Sequence, residues 1–117
     1  MRLIRGEVTF EEGPADISGA AVHVRVEDVS RADAASLTVA EWKVPALPAG
    51  TTTSSVIPFE VAVESLDARG RYSLRAHVDV DRDGRTSVGD FITMEEFPVS
   101  RPDFYRLRVR RVGGAES

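Results

Sequence analysis

Val22-His23-Val24-Arg25-Val26-Glu27 alternates one valine with one polar or charged residue. Side chains on a strand point to opposite faces in turn, so this order puts every valine on one side. β-branched residues also favour the extended backbone. The stretch predicts a half-buried β-strand, and the same period recurs on both sides of it.

Upstream, Ile4, Gly6, Val8 and Phe10 alternate with polar neighbours until Glu11-Glu12-Gly13-Pro14 stops the run. Downstream, Leu37 to Val44 reads as a third strand, closed by Pro45 and by Pro48-Ala49-Gly50. Ser55, Ile57, Phe59, Val61 and Val63 form a fourth. Pro58 lies inside it and cannot donate to a ladder, which predicts an edge or a bulge there. Tyr72, Leu74, Ala76, Val78 and Val80 give a fifth strand, Phe91 to Phe97 a sixth, and Tyr105, Leu107 and Val109 a seventh.

The segment after Ser30 has two readings. Ser30-Arg31-Ala32-Asp33 could cap a short helix carrying Ala32, Ala35, Val39 and Trp42 on one face. A loop followed by a strand from Leu37 fits the β-branched and aromatic residues better. Seven short strands separated by turn signals predict an all-β fold. The architecture expected is an antiparallel β-sandwich of about seven strands, immunoglobulin- or prealbumin-like. The 117-residue chain suits one domain over residues 1–112, with a flexible tail at 113–117.

Composition excludes several functions. A net charge of −4 argues against a nucleic-acid partner, which would require a basic surplus. No apolar run is long enough to span a membrane. Met1-Arg2-Leu3-Ile4-Arg5-Gly6 lacks the apolar core of a signal peptide, so the chain as written is expected in the cytoplasm. An export segment outside this sequence would place it instead in the cell envelope. With no cysteine, the chain has no disulfide, thiolate nucleophile or zinc–thiolate site.

One constellation carries chemistry. Residues 79–90 read Asp-Val-Asp-Arg-Asp-Gly-Arg-Thr-Ser-Val-Gly-Asp. Asp79, Asp81, Asp83 and Asp90 fall at positions 1, 3, 5 and 12 of a calcium-type loop, with Gly84 at the sharp turn. Arg85 would offer its main-chain carbonyl at position 7, and Ser87 its hydroxyl at position 9. Position 12 is Asp rather than the longer Glu, position 8 is Thr86, and the flanks read as strands. The loop is therefore a candidate calcium site outside the helix-loop-helix class. The plainer reading is an acidic turn whose charges Arg82 and Arg85 offset.

Other signals read as structure. His23 and His77 lie opposite the apolar faces of their strands and are expected at the surface. Ser73, His77 and Asp79 share a face but are spaced too widely for a catalytic triad. Arg106, Arg108 and Arg110 are expected as the solvated face of a strand, guarding an edge. Trp42 is expected in the core.

Asp28-Val29-Ser30-Arg31-Ala32-Asp33-Ala34, then VAEW at 39–42, IPFEV at 57–61 and YSLRAHVDVD at 72–81, resemble the YbaY-like and YscW-like lipoprotein families over roughly residues 4 to 100. The resemblance implies a small, exported, lipid-anchored β-sandwich. It also implies kinship with pilotins, chaperones of outer-membrane secretins in type III secretion. The lipidated cysteine of those lipoproteins is not in this sequence. The function expected is a non-enzymatic module that binds a protein partner or itself; a sandwich with edge strands can accept an extended peptide by strand addition. The alternatives are a small-ligand carrier or enzyme with a pocket the sequence does not display, and a homo-oligomeric structural module.

Overall fold

The computed structural model describes residues 1–11, 13–30, 35–64, 66–99 and 104–113. Within them are seven strands and no helix: β1 (Arg2–Phe10), β2 (Ala21–Asp28), β3 (Leu37–Val44), β4 (Ile57–Val63), β5 (Tyr72–Asp79), β6 (Phe91–Thr93) and β7 (Phe104–Arg111). The alternation of apolar and polar residues sets the faces. Val22, Val24 and Val26 of β2 are fully buried, as are Ile4 and Val8 of β1. β4 alternates buried and exposed residues along its whole length. The residues where the helical alternative would begin, 31–34, lie outside those described, and the strand starts at Leu37 as expected.

The strands do not divide into the two antiparallel sheets of a sandwich. They form one continuous sheet in the order β3-β2-β5-β6-β7-β1-β4. Most neighbours are antiparallel, but β1 and β7 are parallel, with Gly6 beside Tyr105 and Val8 beside Leu107. The sheet curls until its end strands β3 and β4 lie alongside each other. No ladder joins them, so the barrel is nearly closed and keeps two edges. The rings of Trp42 on β3 and Phe59 on β4 approach to 6.2 Å across this seam. Trp42 is half-buried against the core, close to its expected role.

Period-2 patterning explains the outcome. It says which face of each strand seeks the interior, and one curled sheet hides that face as well as two stacked sheets do. Ile4, Val8, Val22, Val24, Val26, Val61, Leu74, Val78, Leu107 and Val109 fill the interior.

Two strands depart from their expected form. Pro58 does sit on an edge strand, opposite Glu7 of β1. β7, by contrast, lies between β6 and β1, so its arginines guard no edge. Arg106 pairs with Glu7 at 3.0 Å, Arg108 with Glu11 at 3.3 Å and Arg110 with Glu11 at 2.8 Å. β6 is shorter than the expected run to Phe97, because the chain leaves the ladder after Thr93. It rejoins β5 further along, where Leu74 N–H donates to Phe97 O and Val99 N–H to Tyr72 O, both at 2.9 Å.

Strand direction sends three connections to one end of the barrel: residues 11–20, 45–56 and 80–90. The first two interlock. Leu47 N–H donates to Ala20 O at 2.8 Å and Ile17 N–H to Thr51 O at 3.0 Å. Ile17, Ala20 and Leu47 thereby plug this end of the core.

Candidate functional site

The 79–90 connection starts on the last residue of β5 and ends just before β6. Its first and last carboxylates, Asp79 and Asp90, are each only 1% exposed. Asp81, Asp83 and Arg85 are exposed, and Ser87 is half-buried. The turn between them uses left-handed backbone at Arg82 (φ 55°) and Gly84 (φ 78°). Glycine adopts that conformation without steric cost, which makes position 6 the natural place for it. The loop is anchored beyond its own ends: Gly89 N–H donates to Val112 O at 3.0 Å, and Val112 N–H to Asp90 O at 2.8 Å.

The structure brings the four expected carboxylates together. Asp79, Asp81, Asp83 and Asp90 each offer an oxygen, and these atoms lie within 4.8 Å of one another. Asp90 is the best-held member. Its Oδ1 accepts Val80 N–H at 3.0 Å. Its Oδ2 accepts His77 Nε2–H at 2.9 Å and Ser87 N–H at 3.1 Å. Burial alone would raise the pKa of Asp90. The His77 hydrogen bond, with the two backbone N–H groups, outweighs burial and holds the pKa below the usual aspartate value.

Asp83 Oδ1 accepts Arg85 N–H at 2.9 Å, and Asp81 Oδ2 accepts the Ser87 hydroxyl at 3.4 Å. Asp79 Oδ2 accepts Gly84 N–H at 2.8 Å. Asp79 Oδ1 is buried and has no hydrogen-bond partner. Leaving such an acceptor unmet costs about 1–3 kcal/mol, more when it is charged. Neither Arg82 nor Arg85 joins the ion pairs of the described residues, so the offsetting role given to them in the acidic-turn reading has no contact behind it.

His77 corrects an expectation. It is 8% exposed rather than at the surface, because the folded-back loop and the neighbouring strand cover it. Its ring stacks on His23, directly opposite on β2, with centroids 5.9 Å apart and planes inclined by 26°. His23 Nδ1–H in turn meets Glu41 Oε2 at 3.2 Å, and Arg25 Nε–H meets the same oxygen at 2.8 Å. A polar chain thus crosses the outer face from β3 through β2 and β5 to the loop. Sequence reasoning undervalued His77, although it lies two residues before Asp79 and on the same strand face. Ser73 is not part of a triad: its hydroxyl donates to Phe97 O, while His77 is committed to Asp90.

Small hollows of ≈ 100 Å³ and ≈ 180 Å³ lie beside the loop, one lined by His77 and Thr86 and the other by His23, Asp79 and Gly84, among others. Two roomier ones lie at the other end of the barrel. One of ≈ 460 Å³ is lined by Val29, Arg71, Tyr72, Glu96, Pro98 and Val99 among others. A neighbour of ≈ 330 Å³ runs along β5 beneath Met94 and Glu95. Among the described residues, neither is lined by a histidine or by Trp42.

Comparison with known proteins supplies the family. No curated protein matches the sequence. A solved structure described as an alternative pilotin from the type II secretion system of Vibrio cholerae superposes with a TM-score of 0.76 at 28% identity. The match covers 97% of this chain and 98% of that one. The family model for the type III secretion system lipoprotein chaperone YscW matches residues 1–99. It supports the YscW half of the resemblance seen in the sequence. A lipoprotein chaperone of a secretion system implies association with the cell envelope, the second of the two localisations expected above. The continuous curled sheet, its length and its sequence agree on one conclusion: the chain belongs to the YscW family of secretion-system lipoprotein chaperones.

Proposed function

We propose that this chain is a non-enzymatic chaperone of the cell envelope that binds a protein component of a secretion system, with an outer-membrane secretin as the first partner to try. The observation that carries the mode of binding is the open seam. Among the described residues, β3 hydrogen-bonds to β2 on one side and has no ladder on the other. Its residues Leu37 and Val39 are 68% and 45% exposed. An unpaired edge offers a row of N–H and C=O groups to an extended segment, while side-chain pockets beside it supply selectivity. Membership of the YscW family supports the chaperone role.

A binding titration of the purified chain against a solubilised secretin subunit tests this reading. Saturable binding at micromolar concentration or tighter is expected, and Val39→Lys should weaken it at least tenfold without lowering the unfolding midpoint. Absence of saturable binding counts against the partner. Undiminished binding by Val39→Lys removes β3 as the site. The same edge could join two copies of the chain. Sedimentation that finds only monomer at high concentration eliminates that second reading.

A further inference from the structure

We propose that Asp79, Asp81, Asp83 and Asp90 bind one divalent hard cation, with calcium preferred. The proposal is independent of partner binding and rests on three observations. The first is convergence: four carboxylate oxygens lie within 4.8 Å of one another. Ligands 2.3–2.6 Å from one calcium ion are separated by no more than about 5 Å, and the four oxygens meet that limit.

The second is the state of Asp79. A carboxylate 1% exposed keeps Oδ1 buried without any hydrogen bond. Gly84 N–H occupies Oδ2, so Oδ1 is the atom free to bind a cation. An unmet anionic oxygen at the foot of an acidic cluster is what a coordinated ion would satisfy. The third is the missing counter-charge: Arg82 and Arg85 make no ion pair with these aspartates among the described residues.

The chemistry of the donors selects the ion. All four are carboxylate oxygens on a loop, and calcium accepts six to eight oxygens in adaptable geometry. The Arg85 carbonyl and the Ser87 hydroxyl are the further oxygens the spacing offers. Magnesium demands a near-ideal octahedron and sheds water reluctantly. Zinc would prefer nitrogen or sulfur. His77 does form a second group with Asp79 and Asp90, but its Nε2 is already engaged to Asp90 Oδ2 at 2.9 Å. Its place is behind the ligand, where it orients Asp90.

The test uses the whole chain, stripped with chelator and then titrated with calcium, magnesium or zinc chloride. Calorimetry and thermal unfolding are the readouts. One calcium site is expected, with a raised unfolding midpoint and a weaker response to magnesium. Asp81→Ala and Asp83→Ala change exposed residues, so each should unfold near the wild-type midpoint in chelator. Each should lose the calcium increment or bind at least tenfold more weakly. Asp79→Asn should abolish it, and if that variant fails to fold the two exposed variants still decide. No calcium heat and no midpoint shift up to about 10 mM, beyond the weakest extracellular calcium modules, would overturn the proposal. So would a calcium shift unchanged in Asp81→Ala and Asp83→Ala. A response to zinc alone, lost in His77→Gln, would also overturn it.

Discussion

Thr53 ties two loops together through one hydroxyl. Its Oγ1 accepts Ala15 N–H and donates to Gly13 O, each at 2.8 Å, and the residue is 4% exposed. Thr53→Val keeps the shape and strands both main-chain groups. The expected loss is about 1–3 kcal/mol, the desolvation cost of unpaired buried polar groups. Urea unfolding should show a lower midpoint with an unchanged m-value. Glu41 makes a different prediction. Burial alone would raise its pKa, but the hydrogen bond and charge of Arg25, with help from His23, hold it below the ordinary glutamate value. A carboxylate depressed in the folded state stabilises it above the unfolded pKa and loses that contribution as pH falls through the folded value. Stability should therefore decline on acidification from the ordinary glutamate range downward. Glu41→Gln should flatten that part of the profile. An unchanged acid limb in the variant would show that the Arg25 contact has no effect on folding.

At the scale of the element, β1 is the strand on which the sheet depends, since it bridges β4 and β7. A Cβ added at Gly6 would collide with the Tyr105 main-chain carbonyl and with the Phe59 ring. Neither a carbonyl in a ladder nor a packed ring can yield cheaply. Gly6→Ala is expected to cost about 1–3 kcal/mol, as overpacking of a filled core does. Chemical denaturation measures this directly, and a neutral result would mean that β1 and β7 can separate without penalty. Strands were the most legible part of the sequence. Leu37–Val44 and the core face of Tyr72–Asp79 emerge where alternation and β-branching agree. Phe91–Phe97 was less legible, because both of its faces mix apolar and polar residues. Only Phe91–Thr93 pairs as a strand.

For the molecule as a whole, three connections gather at one barrel end and the larger cavities at the other. The acidic loop is tied to β5 through Asp79, to the β6 entrance through Asp90, and to the chain after β7 through Val112. An ion there would bind only the folded chain, since unfolding disperses its ligands. Calcium at about 100 times its dissociation constant should then add about 2.7 kcal/mol of stability. For a chain of this length that raises the melting temperature by about 10 °C. A melt in calcium that coincides with one in chelator would show no such linkage.

Residue order alone determined which side of each strand turns inward, where the turns fall, and which aspartates and glycine recur at the spacing of a cation loop. Those are local matters: a strand repeats every two residues, and a left-handed turn favours glycine whatever surrounds it. Tertiary structure decided the neighbours. It made one curled sheet in place of two layers, laid β7 parallel to β1, buried His77 against Asp90, and left Asp79 Oδ1 without a partner. Alternation has the same period whichever strand lies alongside, so pairing order, closure and the burial of a polar side chain depend on contacts between residues far apart in the chain.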